Sequence, residues 1–408
     1  MPPSLLTRDE LRDRVERLAG LERGSCSDGE RRGADMIAEE LRELGLSPAS
    51  ETELAQGTYW WPIGVPCAAA AAAGVVGGAA GIAVGALAAG AVADDIKAGP
   101  RVLRRALPQR TTVNVWAEVG EPGAERTLVF MAHHDAAHTG AVFEPSAPRR
   151  VLGALPPAIR NRINTTPPTM WAGFAAPLAV AAGSLLRRRG LRLAGAAIAA
   201  GYAAAMADIG RSEVVPAAND NATGVAALLS VARALAADPP AGLRVILLFP
   251  GAEESFMEGM VAWGRRHFHT LPRESTTFIC LDTVGSPDLL LLEGEGMLGI
   301  REYPKDLLAL VRSCIEEVGA HDVPNLRFRN ATDGLIPLKA GYPTAVVGSV
   351  DEFKLPTNYH WPTDTPDRVD YGTVESAARA CHRLVERMSA SPSQHDRART
   401  DPHVVAPT

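Results

Sequence analysis

The chain has 408 residues, 41 Lys and Arg against 47 Asp and Glu, and a formal charge of −6. That length allows one large domain or two ordinary ones with a well-filled core. The acidic balance argues against nucleic acid as a partner, which calls for a basic stripe.

The first fifty residues read as two amphipathic helices. Thr7 and Glu10 form a capping-box pattern, followed by Leu11, Val15 and Leu18 at helical spacing. A second helix carries Ala34, Ile37, Leu41 and Leu44 on one face and stops at Gly45. Then the composition flips: 54–93 holds no charged residue and is mostly Ala, Gly and Val. It is expected to fold as two short helices breaking near Gly77-Gly78. From about Thr111 apolar runs alternate with helical patterns. Strands are predicted over 128–132, 244–249, 276–281 and 344–347, and helices over 222–236, 256–268, 305–318 and 372–388. Such alternation argues for an α/β domain with a mainly parallel sheet. Two more uncharged runs, 163–186 and 193–207, flank a turn with Arg187, Arg188, Arg189 and Arg192. The tail, 390–408, is polar and Pro-rich and is expected to be disordered. No internal repeat and no amino-terminal signal peptide is visible. The five scattered cysteines, Cys26, Cys67, Cys280, Cys314 and Cys381, contain no CxxC pair and form no disulfide framework.

About 20 apolar residues cross a bilayer core, so the uncharged runs are long enough for membrane spans. Ala and Gly contribute little transfer free energy, but Trp60, Trp61 and Trp171 stand near the run starts, where interfacial anchors are common. Membrane association through 54–93 and 163–208 is therefore expected. The alternative is Ala-rich hairpins packed on the soluble domain or on a partner. The membrane side stays open. The arginine turn puts the catalytic face outside, whereas Lys97, Arg101, Arg104, Arg105 and Arg110 put it inside, as do the missing signal peptide and disulfides.

Three of the predicted strands are followed by groups that bind cations. His133-His134-Asp135 follows the first, Pro250-Gly251-Ala252-Glu253-Glu254 the second and Asp282 the third. Asn219-Asp220-Asn221 precedes a helix, and Asn358-Tyr359-His360-Trp361 stands late in the chain. Open α/β sheets place their sites at these strand ends. Imidazole with carboxylate is a zinc donor set, and a carboxylate between two cations offsets their repulsion. Two metals about 3.5–4 Å apart activate water and polarise a carbonyl, while a separate carboxylate moves the proton. Residues two apart in extended chain share a face, so Asp135 can orient the His133 imidazole, and His134 points away. Glu253 and Glu254 are adjacent, so one can ligate while the other stays free as a base. Asp220 suits a bridge, a role compatible with a helix N-cap. His138, His267, His269 and His382 have no partners in this pattern and are assigned to the surface; Cys280 is assigned to a buried strand.

The motifs FMAHHDAAHTG, PAANDNATGVAALLSVARAL, LFPGAEESFMEG, ICLDTVG and NYHWPTDTPDRVD resemble the zinc-dependent aminopeptidase family that includes bacterial leucyl aminopeptidases and glutamate carboxypeptidase II. The resemblance runs over about 111–389, and 8–47 is similar to that family's opening. It implies an α/β fold with a mixed, mainly parallel sheet flanked by helices, here with inserted apolar helical hairpins. It also implies two zinc ions, or other divalent metals. His133 and Asp282 would hold one, Glu254 and His360 the other, and Asp220 would bridge. Asp135 would support His133, and Glu253 would be the general acid/base acting on a peptide substrate. Asp333, in Ala331-Thr332-Asp333-Gly334, falls where the family often has Ser-Asp-His, and the His is missing here. The interval from His133 to Asp220 is also longer than in the family. The domain reading follows: a discontinuous peptidase domain over 1–53, 111–162 and 209–389, with insertions at 54–110 and 163–208. The expected activity is removal of amino-terminal residues from peptides. The alternatives are a zinc carboxypeptidase, a glutaminyl-cyclase-like enzyme or a non-catalytic membrane scaffold; the oligomeric state is left open.

Overall fold

A computed structural model describes residues 5–160 and 162–390. The tail expected over 390–408 falls outside them except for Ala390, which ends the last helix. The opening helices α1 (Arg8–Ala19) and α2 (Asp28–Glu43) form as their patterns require. Thr7 Oγ1 accepts from the Glu10 N–H while the Thr7 N–H donates to Glu10 Oε2, completing the capping box. Gly45, at φ +81°, stops the second helix in the left-handed region.

An eight-stranded sheet has the order β1-β2-β4-β3-β5-β11-β6-β9. Its centre is β4 (Arg244–Phe249), β3 (Thr127–Met131), β5 (Thr276–Leu281) and β11 (Thr344–Val350), all parallel. β2 (Arg110–Gly120) and β1 (Ala49–Ala55) extend one side antiparallel. On the other side β6 (Asp288–Leu291) is antiparallel to β11, and β9 (Asp322–Val323) pairs parallel with β6. A small sheet joins β7 (Gly294–Glu295) to β8 (Arg301–Glu302) and β10 (Arg327–Phe328). The central strands are unbroken apolar runs because both faces are covered: every residue of β3 and β11 is buried. Helix α10 (Thr223–Ala237), itself almost wholly buried, packs on the central strands and on α1 and α14 (Tyr371–Ala390), and α12 (Lys305–Glu317) packs on α14.

Several boundaries differ from the sequence pattern for local reasons. Leu54 and Ala55 belong to the edge strand β1 rather than to the first insertion. Helix α11 (Glu258–His267) starts two residues later than its periodicity predicts. Phe256 and Met257 sit at φ +67° and +58°, and Arg101 Nη2 holds the Phe256 carbonyl at 2.6 Å. A short helix, α13 (Leu335–Lys339), precedes β11.

The insertions are helical hairpins. The first is α3 (Trp60–Val76) and α4 (Gly78–Ile96), broken at Gly77 and Gly78, both at positive φ. A five-residue helix, α5 (Val102–Ala106), leads back to the sheet. Short helices α6 (Ser146–Ala154) and α7 (Pro157–Arg160) precede the second, which is formed by α8 (Trp171–Leu185) and α9 (Arg189–Ile209). The uncharged run from 163 becomes helical only at Trp171 because Pro167-Pro168 holds the preceding residues extended. Two of these helices, Gly78–Ile96 and Arg189–Ile209, are long and apolar enough to cross a membrane.

Candidate metal centre

Adjacent parallel strands end on one edge of the sheet, and the loops leaving β3, β4 and β5 bring their side chains together there. His133 and Asp135 follow β3, Glu253 and Glu254 follow β4, and Asp282 follows β5. Asp220 arrives on the loop 218–222 before α10, and His360 on the loop after β11. All seven are buried or nearly so.

The two oxygens of Asp220 face different imidazoles. Oδ1 lies 3.3 Å from His133 Nε2, and Oδ2 lies 3.4 Å from His360 Nε2. His360 Nε2 is also 3.1 Å from Glu254 Oε2. On the far side of the first imidazole, His133 Nδ1 lies 3.3 Å from Asp135 Oδ1. Potential ligand atoms of His133, Asp220 and Asp282 lie within 4.8 Å of one another, as do those of Asp220, Glu254 and His360; a third such group is His133, Glu253 and Glu254. His134 turns away, its Nε2 2.9 Å from the Val113 carbonyl.

The electrostatics fit a divalent cation. Burial first, then the neighbouring carboxylates Glu254, Asp333 and Asp282, push the Glu253 carboxyl well above its ordinary value. Burial also pushes Glu254 up to about 7, and burial with Asp220 raises Asp282. Burial opposes charge on His360, but Glu254 and Asp220 outweigh it and push that imidazole up to about 10. Glu254 Oε1, buried, has no hydrogen-bond partner. Acidic oxygens crowded on two imidazoles, with Asp220 shared, are a donor set for zinc or a similar ion.

A frame of hydrogen bonds aims these groups. Asp135 accepts from the Glu253 and Glu254 N–H groups at 3.0 and 3.1 Å and from Ser25 Oγ at 2.6 Å, so one carboxylate ties two strand ends together. Asp364 accepts from the Asn219 and Asp220 N–H groups at 2.8 and 3.1 Å. Asn221 Oδ1 accepts from the Thr283 N–H at 3.0 Å, stitching the Asp220 loop to the Asp282 loop. Glu30 Oε1 accepts from the Ala252 N–H at 2.7 Å. Arg23, fully buried, donates to the carbonyls of His134 and Ala217 at 2.9 and 3.0 Å. Arg23, Ser25, Glu30 and Asp364 carry no motif signal; only their long-range partners reveal them.

Asp333 is buried within the field of Glu253, and neither of its oxygens has a hydrogen-bond partner. Of the histidines assigned to the surface, His138 is half-buried with its ring 4.7 Å from Trp60, and His267 packs 4.6 Å from Trp263. Cys280 is buried in β5.

Residues 204–385 match Peptidase family M28. Over those residues the chain is similar to that family. The match begins inside α9, so it includes Asp220, Glu253, Glu254, Asp282 and His360 but not His133 or Asp135, which precede the second insertion. No curated protein matches the chain in sequence. Solved structures share the fold. A Zn-dependent exopeptidase from Parabacteroides distasonis is 12% identical with a TM-score of 0.55, covering 94% of this chain and 99% of its own. A glutaminyl cyclase from Bacteroides thetaiotaomicron is 14% identical at 0.56, covering 94% and 99%. A leucine aminopeptidase precursor from the same species is 14% identical at 0.54, covering 94% and 98%. The match to Peptidase family M28 supports a hydrolase, and these solved structures share the mixed, mainly parallel α/β fold.

Proposed function

We propose that this protein is a two-zinc aminopeptidase of the M28 type. The observation that carries this reading is Asp220, whose two oxygens face His133 and His360 separately. His133 and Asp282 would hold one ion, Glu254 and His360 the other, with Asp220 between them. When bound, the ions supply Lewis acidity toward a carbonyl and make water a usable nucleophile near neutral pH. Asp135 keeps the His133 ring oriented and fixes the backbone of both glutamates. Glu253 takes up the proton that water loses as its oxygen bonds to the carbonyl carbon. It then returns that proton to the amine as the C–N bond breaks. Burial of the site limits competing water.

A single-zinc glutaminyl cyclase is the second reading, because glutaminyl cyclases share the fold at the same level of similarity. One experiment separates the two. Purified protein is analysed for metal, then assayed with and without a chelator on amino-acid anilides, on amino- and carboxy-blocked peptides, and on a peptide beginning with glutamine. Close to two equivalents of zinc and chelator-sensitive release of free amino-terminal residues are expected. One equivalent with cyclisation of glutamine would replace this reading with the second.

A further inference from the structure

The two insertions, far apart in sequence, form one body. α3 packs on α4 and α9, α4 packs on α8, and α8 packs on α9, closing a four-helix ring. Its axis is made of small residues: Ala70, Ala88, Ala176 and Ala199 form a cluster of their own. The approach is close enough that a Cβ on Gly74 would lie 2.6 Å from the Ala196 Cβ, and one on Gly85 would lie 2.7 Å from the Ala181 nitrogen. Away from the base many large apolar side chains point outward, although Val180 is buried. Val76 and Leu87 are each 74% exposed, Leu185 66% and Ile198 53%. This is the reverse of a water-soluble bundle, where large side chains fill the axis and charges cover the outside. Close packing through small residues is how helices associate where the surroundings are themselves apolar.

The two ends of the bundle differ. At the base, Trp61 and Trp171 lie exposed at the starts of α3 and α8, at the level where aromatic rings sit at a membrane interface. The base is also anchored to the catalytic domain: Ile63, Cys67, Val92, Ile96 and Met206 join the main core. At the tip, both hairpin turns coincide. The Arg192 guanidinium lies over Gly77, the turn of the first hairpin, and Arg187, Arg188 and Arg189 form the exposed turn of the second. The four helices α3, α4, α8 and α9 have 17, 19, 15 and 21 residues and are about 22–32 Å long at 1.5 Å per residue. A bilayer's hydrocarbon core is about 30 Å thick. In a bilayer of that thickness the basic tip would reach the headgroup region of the far leaflet, where anionic phosphates complement it.

We propose that the two insertions together cross a lipid bilayer as one four-helix bundle, with the arginine tip on the face opposite the catalytic domain. The proposal is independent of the chemistry assigned to the metal centre.

Its test is topological and needs no activity. The full chain, produced in membranes, is expected to resist extraction by high salt and by alkaline carbonate and to dissolve in detergent. Two single substitutions then report sidedness: Gly190→Cys at the tip, where an added Cβ meets open space, and Glu125→Cys, exposed on the catalytic domain. The unaltered chain sets the background, since four of its five cysteines are buried and Cys26 is half-buried. In sealed vesicles of one orientation, a membrane-impermeant maleimide is expected to label one position only, and both after permeabilisation. Labelling of both from the same face overturns the proposal, because the bundle then dips into or lies on the membrane. Recovery of the chain in detergent-free buffer, as a monomer or with the bundle covered by a second copy, overturns it equally.

Discussion

The catalytic domain and the inserted bundle bury their side chains in opposite senses. In the domain Phe130, Phe249 and Phe278 are fully buried between strands and helices, and the outer faces of α1 and α2 are charged. In the bundle glycine and alanine line the axis while Val76, Leu87, Leu185 and Ile198 stand on the outside. The overall 46% hydrophobic content therefore averages two kinds of surface. The lesson is that burial must be read together with the size of the buried residue. A domain excluding water gains from burying large side chains, whereas a bundle whose exterior is as apolar as its interior gains only from close fit.

The sharpest contrast is in turnover. Glu253→Gln keeps size but removes the carboxylate proposed to accept the proton, so kcat is expected to fall about 10²–10⁴-fold. Metal content should stay unchanged. Leu87→Ala in the bundle should leave both quantities as they are. A Glu253→Gln enzyme with near-normal kcat would remove that side chain from the proton-transfer step.

Stability should divide the same two regions. Phe278→Ala opens a cavity in the central sheet and is expected to cost about 3–5 kcal/mol. Leu87→Ala, at an exposed position, is expected to stay within about 0.5 kcal/mol in detergent. Chemical denaturation of the detergent-solubilised protein measures both. A Leu87→Ala cost close to that of Phe278→Ala would mean that the bundle's outside is packed against protein.

The regions meet at Arg104. Its Nε and Nη2 engage both oxygens of Asp95 at 2.7 and 2.8 Å, and Nη1 reaches Glu258 Oε2 at 2.8 Å and the Ser255 carbonyl at 2.9 Å. The first insertion thus grips the loop that carries Glu253 and Glu254. Arg104→Ala leaves two buried carboxylates without their partner and is expected to cost about 3–5 kcal/mol. Arg104→Lys should recover little, since an ammonium cannot make the bidentate fork. Equal stability of the Lys variant and the native chain would show that charge alone suffices there.

What the sequence made legible follows from the same contrast. His133, Glu253, Glu254 and Asp282 were readable because each follows an apolar strand, and parallel sheets collect their strand ends at one edge. The helix break at Gly77 was readable from the Gly-Gly pair. Arg23, Glu30 and Asp364 were not, because each acts through backbone groups distant in the chain, a relation no local pattern encodes. The start of α11 was shifted by Arg101 and Arg104, again from across the fold. The strands β7 to β10 have two residues each, too short for any period to register. Nor did the alternation show that two hairpins separated by a catalytic strand would form one bundle. That pairing depends on the sheet bringing residues 60 and 171 to the same side.

The smallest expected effect tests how the frame supports the metal centre. Asp135 uses both oxygens on the glutamate N–H groups and faces His133 Nδ1. Asp135→Asn keeps the shape but supplies only one acceptor oxygen, and its amide NH₂ would point at a donor N–H. The imidazole loses the charge that orients it and raises its basicity. Partners of this kind typically contribute 10–100-fold to metal affinity, so zinc should dissociate about that much more readily. Competition with a chelator of known affinity measures it. The Asn variant should still turn over when zinc is in excess, because the side chains that would hold the ions are intact. Affinity unchanged by the substitution, with activity lost, would place Asp135 in the chemical step instead of in support of the metal.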